Sequence, residues 1–271
     1  MNRIWPLAFI TFKEGIRNRA IYGISLFALV LLSANMMLSG MMMRSAGKVA
    51  VDMALSTTSL SGVLLILFVG INLIAKDLDR RTIYMVLARP ISRGEYIIGK
   101  FFGLVLLIGV AMLILGIFAL LSIFLVKFTT FPESFDRVEL PLILLALAFI
   151  TMMLVLLSAI SIFFASFSTT SFITLALTII VYIIGNSLSD VKALVETPKA
   201  FGIEVSPVTV AMVQVAYYLF PNLSFFNIKL QAAHGIAVPL SYIFWTMVYG
   251  LVYTGLAIAF ATLFFRKREF P

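Results

Sequence analysis

The chain has 271 residues, of which 62% are hydrophobic and 12% charged, with a formal net charge of +8 and a mean hydropathy of +1.11. A soluble domain carries roughly 25% charged residues, so this composition excludes a soluble enzyme and points to an all-α, polytopic membrane protein. There is no cysteine, which rules out disulfides, thiolate metal sites and cysteine nucleophiles together. No Pro/Ser-rich linker or internal repeat divides residues 1–271, and they read as a single membrane domain.

The first element is expected at about residues 4–17. Ile4, Leu7, Ala8, Ile10 and Thr11 interleave with Lys13, Glu14 and Arg17, the pattern of an amphipathic helix lying along the membrane surface. Trp5 and Phe12 would anchor it. Lys13, Glu14, Arg17 and Arg19 fall where a signal peptide needs its apolar core, so the segment is expected to be retained.

Six apolar stretches follow, at about residues 21–43, 56–75, 101–126, 140–167, 171–188 and 241–265. Each approaches the ~20 residues that cross a ~30 Å hydrocarbon core. In hydrocarbon each must be a helix, because only then are its backbone N–H and C=O groups paired within the segment. Thirteen of the 20 Lys and Arg gather in the N-terminal segment, the loop after the second span and the C-terminal tail. By the positive-inside rule both termini and that loop are cytoplasmic. The excess charge then belongs to an inner face near anionic lipid rather than to a nucleic-acid site.

No ionisable residue stands within the core of these six stretches; their polar residues, such as Asn35, Asn72 and Asn186, are neutral. Ion-coupled transporters usually place ionisable groups at depth despite a cost of at least ~2.5 kcal/mol each. That route is disfavoured here.

The loop after the second span has more order than orientation requires. Asp79 can N-cap a short helix reaching Ala88, with Ile83, Val86 and Leu87 on one apolar stripe and Arg80, Arg81 and Tyr84 mostly off it. Pro90 disfavours helical geometry at Arg89. Ser92-Arg93-Gly94-Glu95 then forms an S-x-x-E capping box that starts a second helix at about Arg93. The short helix either lies at the lipid interface or docks a cytoplasmic partner.

Two patterns are decoys. Gly94 to Lys100 matches the first seven positions of a phosphate-binding loop, but the eighth is Phe101 rather than Ser or Thr, and the stretch lies within a capped helix whose N–H groups are spent. His234 is the one histidine of the chain, and without a second ligand or base it offers neither a zinc site nor a hydrolytic triad. Gly99 and Gly103 make a G-x-x-x-G that permits close helix packing, although small residues at this spacing are common in such helices.

The outer segment, about residues 189–240, contains a shorter helix. Ser206 is placed to N-cap it, Pro207 stands at its first position, and Pro221 ends it. Some fourteen residues are too few to span comfortably, so it is expected to dip into or lie on the outer leaflet.

Taken together, Phe12-Lys13-Glu14-Gly15-Ile16-Arg17, six spans, a basic loop after the second, Asp79-Arg-Arg-Thr82, Leu87-Ala-Arg-Pro90-Ile-Ser-Arg93 and Gly99-Lys100 resemble an ABC-2-type transporter permease over nearly the whole chain. The branch associated with multicopper-enzyme maturation is the most similar. That family often has Glu where Asp79 stands and Gly where Arg81 stands. The resemblance implies an elbow helix bearing Phe12, Glu14 and Arg17. It also implies a coupling region at about residues 77–92, in which Asp79, Arg80, Arg81, Ile83, Tyr84, Val86, Leu87 and Pro90 dock a separate ABC ATPase subunit while Ser92 and Glu95 form the joint to the third span.

It further implies a second permease chain, as homodimer or heterodimer, in a prokaryotic plasma membrane, surrounding lipid, and room for a periplasmic or extracellular accessory protein. This chain would bind no cofactor, with ATP and Mg²⁺ held by the partner, and would most often export its cargo. The alternative class is a membrane scaffold or assembly factor that docks a cytoplasmic partner without transport.

Overall fold

The computed structural model describes residues 4–42, 45–73, 92–129, 135, 138–196 and 206–267. Six of its helices are long and apolar enough to cross a membrane: α2 (Ala20–Met41), α3 (Ala46–Leu73), α4 (Arg93–Thr129), α5 (Leu140–Phe167), α6 (Ser171–Glu196) and α9 (Leu240–Lys267). A shorter helix, α1 (Ile4–Ile16), precedes them, and α7 (Pro207–Leu219) and α8 (Lys229–His234) lie between α6 and α9. No strand occurs among the described residues. The expectation of an all-α polytopic protein with six spans holds.

The core is built on α3, whose apolar window is 72% buried against 17% for α2. α3 starts at Ala46, about ten residues before the apolar run suggested. Lys48 and Asp52 interrupt the run in sequence, but on a helix the small residues Ala46, Gly47, Ala50 and Ala54 fall on the buried face while Asp52 points outward. One charged face does not end a helix whose other face packs. α2, α4, α5 and α8 close around it. A π turn covers Ile66–Gly70, and the described part of α3 runs on to Leu73.

Asn35 is the polar staple of this core. Its Nδ2 donates to the Ala50 carbonyl at 3.0 Å and to Ser122 Oγ at 3.2 Å, and its Oδ1 accepts from Ser39 at 2.9 Å. Ser122 in turn donates to the Leu32 carbonyl at 3.2 Å. These groups are almost fully buried, and every bond joins them without a formal charge, which keeps the desolvation cost low. The network sets α2, α3 and α4 side by side.

The segment between α6 and α9 doubles back. α6 runs to Glu196, eight residues past its expected end. α7 begins at Pro207 as the sequence indicates, yet Ser206 in the capping position makes no side-chain bond. After Phe220 the chain bends by 61° into a 3₁₀ turn, Leu223–Phe226, and α8. Leu223 and Phe226 are buried. The Asn222 N–H donates to Tyr249 Oη at 2.7 Å, the Tyr242 hydroxyl to the Phe225 carbonyl at 2.7 Å, and the Asn222 amide to Ser189 Oγ at 3.0 Å. Gly185 permits this approach, since a Cβ there would lie 2.6 Å from the Pro221 carbonyl oxygen. α8 ends at Gly235 in the left-handed region, φ 63°, and packs on α3. Burial lowers the pKa of the Lys229 ammonium from its ordinary value, and the Asp52 carboxylate opposes the shift.

Candidate functional site

Residues 74–91 connect α3 to α4 in the sequence. Asp79, Arg80, Arg81, Ile83, Tyr84, Val86, Leu87 and Pro90 lie outside the described residues. Both roots are described, and the chemistry of the bundle end is concentrated there.

The return root is the capping box. The Glu95 N–H donates to Ser92 Oγ at 3.2 Å and the Ser92 N–H to Glu95 Oε2 at 2.8 Å, the reciprocal pairing that the S-x-x-E spacing requires. One residue on, the Arg93 Nη1 donates to the Arg266 carbonyl at 2.9 Å. A cation thus meets one of the last carbonyls of α9, where the helix dipole favours it. Behind it the fully buried rings of Tyr96 and Phe265 stack with centroids 5.6 Å apart. The start of α4 and the end of α9 are joined.

The departure root is held by Lys100, one turn further along α4. Its side chain is buried, with the residue 4% exposed, and its Nζ donates to the Leu73 carbonyl at 2.8 Å. Leu73 is the last residue of α3 before the segment 74–91. The same ammonium lies 3.9 Å from Glu14 Oε2 on α1 and 5.8 Å from the centre of the Tyr96 ring. A charge-assisted bond to a carbonyl contributes roughly 1.5–3 kcal/mol, whereas a pair with the 44% exposed Glu14 carboxylate adds at most about 1 kcal/mol. Of these two contacts the carbonyl is the stronger, and the carboxylate brings α1 to the lysine.

α1 lies along α4 in matching four-residue steps. An ideal Cβ at Gly99 would stand 2.6 Å from Leu7 Cδ2, one at Gly103 2.5 Å from Thr11 Cβ and 2.7 Å from the Ala8 carbonyl, and one at Gly15 2.7 Å from Leu107 Cδ2. The G-x-x-x-G of α4 is therefore a groove for the N-terminal helix. The expected apolar stripe divides: Leu7, Ala8, Thr11 and Gly15 are buried by protein, whereas Ile10 and Trp5 are each 61% exposed. Phe12 is half-buried against the core, Glu14 turns to Lys100, and Arg17 is exposed. Arg17 lines a cavity of about 700 Å³ with Ile10, Lys13, Glu14, Asn18, Arg19, Asn72 and Leu73.

Among the residues singled out in the sequence, Ser92, Glu95, Phe12, Glu14 and Arg17 all come to this end of the bundle. Lys100 and Arg266, expected on this side only as orienting charges, join them with Leu73 and Phe265. Lys100 had a signal: it is a lone cation between two glycines in an otherwise apolar stretch. Among the described residues, no group of three or more His, Cys, Asp or Glu could hold a metal ion. The arrangement ties α1, α3, α4 and α9 together at one end of the bundle.

Residues 5–270 match the sequence profile of a family described as ABC-2 family transporter protein. No curated protein matches the chain by sequence.

Proposed function

Because the chain belongs to the ABC-2 family of transporter proteins, we propose that this membrane protein is the permease subunit of an ABC transporter, driven by a separate ATPase and exporting its cargo. The observation that carries the reading is the Lys100 bond to the Leu73 carbonyl, which ties together the two ends of the loop between the second and third spans. A partner pressing on that loop would move α3 and α4 as one unit rather than deform the chain between them. Through Arg93 and Phe265 the motion reaches α9, and through Glu14 it reaches α1.

In this reading Asp79, Arg80, Arg81, Ile83, Tyr84, Val86, Leu87 and Pro90 form the surface that docks the ATPase, and Ser92 with Glu95 forms the joint. ATP and Mg²⁺ are held by that partner. In this reading the protein sits in a prokaryotic plasma membrane with the loop and both termini in the cytoplasm, a sidedness that the Lys and Arg bias supports, and two permease chains with two ATPases make the working unit. Neutral polar groups in the spans suit a lipid, peptide, drug or sulfur-containing cargo.

The test is purification of the chain from its native membrane in mild detergent. An ATPase should be recovered with it, and that ATPase should lose turnover when the chain is removed. A chain recovered alone, or an ATPase indifferent to it, would leave a passive membrane scaffold as the better description.

A further inference from the structure

We infer that the cavity beside α1 is a binding site for the phosphate of an anionic inner-leaflet phospholipid, held by Lys13, Arg17 and Arg19. The cavity lies between the end of α1, the short link to α2 and the last turn of α3. Three cations and one carboxylate line it, and that carboxylate, Glu14, is directed to Lys100 at 3.9 Å. Among the described residues Lys13, Arg17 and Arg19 make no ion pair, so their charge is left to a ligand. The side-chain Oδ1 of Asn18 accepts from the Ala20 N–H at 3.0 Å, which holds the link in place between the two helices.

The position selects a lipid over a dissolved anion. The apolar run of α2 starts at Ala20, immediately after Arg19, so the cations stand where the chain passes from water into hydrocarbon. This is the depth of the phosphate layer. Ile10 and Leu73 add apolar wall to the same cavity, and Trp5, Phe9 and Ile10 are exposed on α1, as interfacial anchors are. Basic pockets at the cytoplasmic ends of transmembrane helices suit anionic headgroups, with each Lys or Arg near the surface contributing about 1 kcal/mol. A lipid bound here would touch Leu73 and the helix that carries Glu14, and so would brace the clamp at the loop root. The inference concerns lipid binding alone and stands whether or not the chain transports.

The experiment uses the whole purified chain. Phosphatidylglycerol should raise its thermal midpoint and remain bound in native mass spectrometry, and phosphatidylcholine should do neither. Arg17→Gln with Arg19→Gln should weaken phosphatidylglycerol retention at least about tenfold, Arg17→Lys with Arg19→Lys should keep most of it, and Lys267→Gln, a cation outside the cavity, should change nothing. A photoactivatable phosphatidylglycerol analogue should label the wild-type chain within residues 10–19, a readout that needs no variant to fold. Equal effects of the two lipids, labelling confined to other segments, or full replacement of the lipid effect by inorganic phosphate would each overturn the assignment.

Discussion

The Nζ of Lys100 donates to the carbonyl of Leu73 across 2.8 Å, joining two residues that are separated in sequence by the entire loop that links the second and third spans. A buried cation usually needs a buried anion. Lys100 has the Glu14 carboxylate at 3.9 Å and adds to it the backbone oxygen of Leu73. The bond also determines how far apart the loop roots can move.

Lys100→Met keeps the length of the side chain and removes the ammonium. It removes the charge-assisted bond to the Leu73 carbonyl, which contributes roughly 1.5–3 kcal/mol. Glu14→Gln leaves that bond intact and should cost at most about 1 kcal/mol. Thermal unfolding in detergent should therefore rank Lys100→Met well below Glu14→Gln. Equal losses would mean that the carboxylate, not the carbonyl, anchors the lysine.

Gly103→Ala would drive a methyl group to 2.7 Å from the Ala8 backbone oxygen and 2.5 Å from Thr11 Cβ. Backbone cannot give way as a flexible side-chain end can, so α1 must lift, at a cost of roughly 1–3 kcal/mol. Protease cleavage within residues 4–17 should increase. Gly109→Ala, which meets nothing within 4 Å, should leave cleavage unchanged.

The capping box gives a separate prediction. Ser92→Ala with Glu95→Ala removes both reciprocal bonds, and loss of an N-cap typically costs about 1 kcal/mol. That is too little to unfold the helices and enough to loosen the start of α4. In a reconstituted system the double variant should still bind its ATPase but move less cargo per ATP hydrolysed. An unchanged ratio would reduce the box to a local tidying of the loop.

Val86→Asp or Leu87→Asp places a charge on the apolar stripe that the sequence predicts for residues 79–88. Both should leave the spans inserted while ATP turnover no longer responds to this chain. Normal transport with normal recovery of the complex would remove the docking role from these residues.

Sidedness can be read directly, since the chain has no cysteine. A cysteine introduced at Ser134 or Lys199 should react with an impermeant thiol reagent from outside the cell, and one at Arg81 or Glu269 should not. Outside labelling at Glu269 would show that the bent pair made by α7 and α8 crosses the membrane as a seventh span.

The spans were legible in the sequence because the bilayer leaves a long apolar run no choice but a helix, and α5 begins and ends at Leu140 and Phe167 as its composition indicates. The capping box was legible too, since its chemistry is contained within Ser92 to Glu95. Other features required the tertiary structure. α3 starts at Ala46 because its small residues meet the neighbouring helices; in the sequence Lys48 and Asp52 look like an interruption.

The buried face of α1 was decided by Gly99 and Gly103, more than eighty residues away, and its own pattern could not separate Leu7, which is covered, from Ile10, which is bare. Lys100 read as one more orienting charge. Its cost and its partner become defined only when folding brings the end of α3 within hydrogen-bonding distance. Local periodicity and backbone pairing thus determine which segments are helices, while the placement of a charge depends on a backbone oxygen that only the packed bundle supplies.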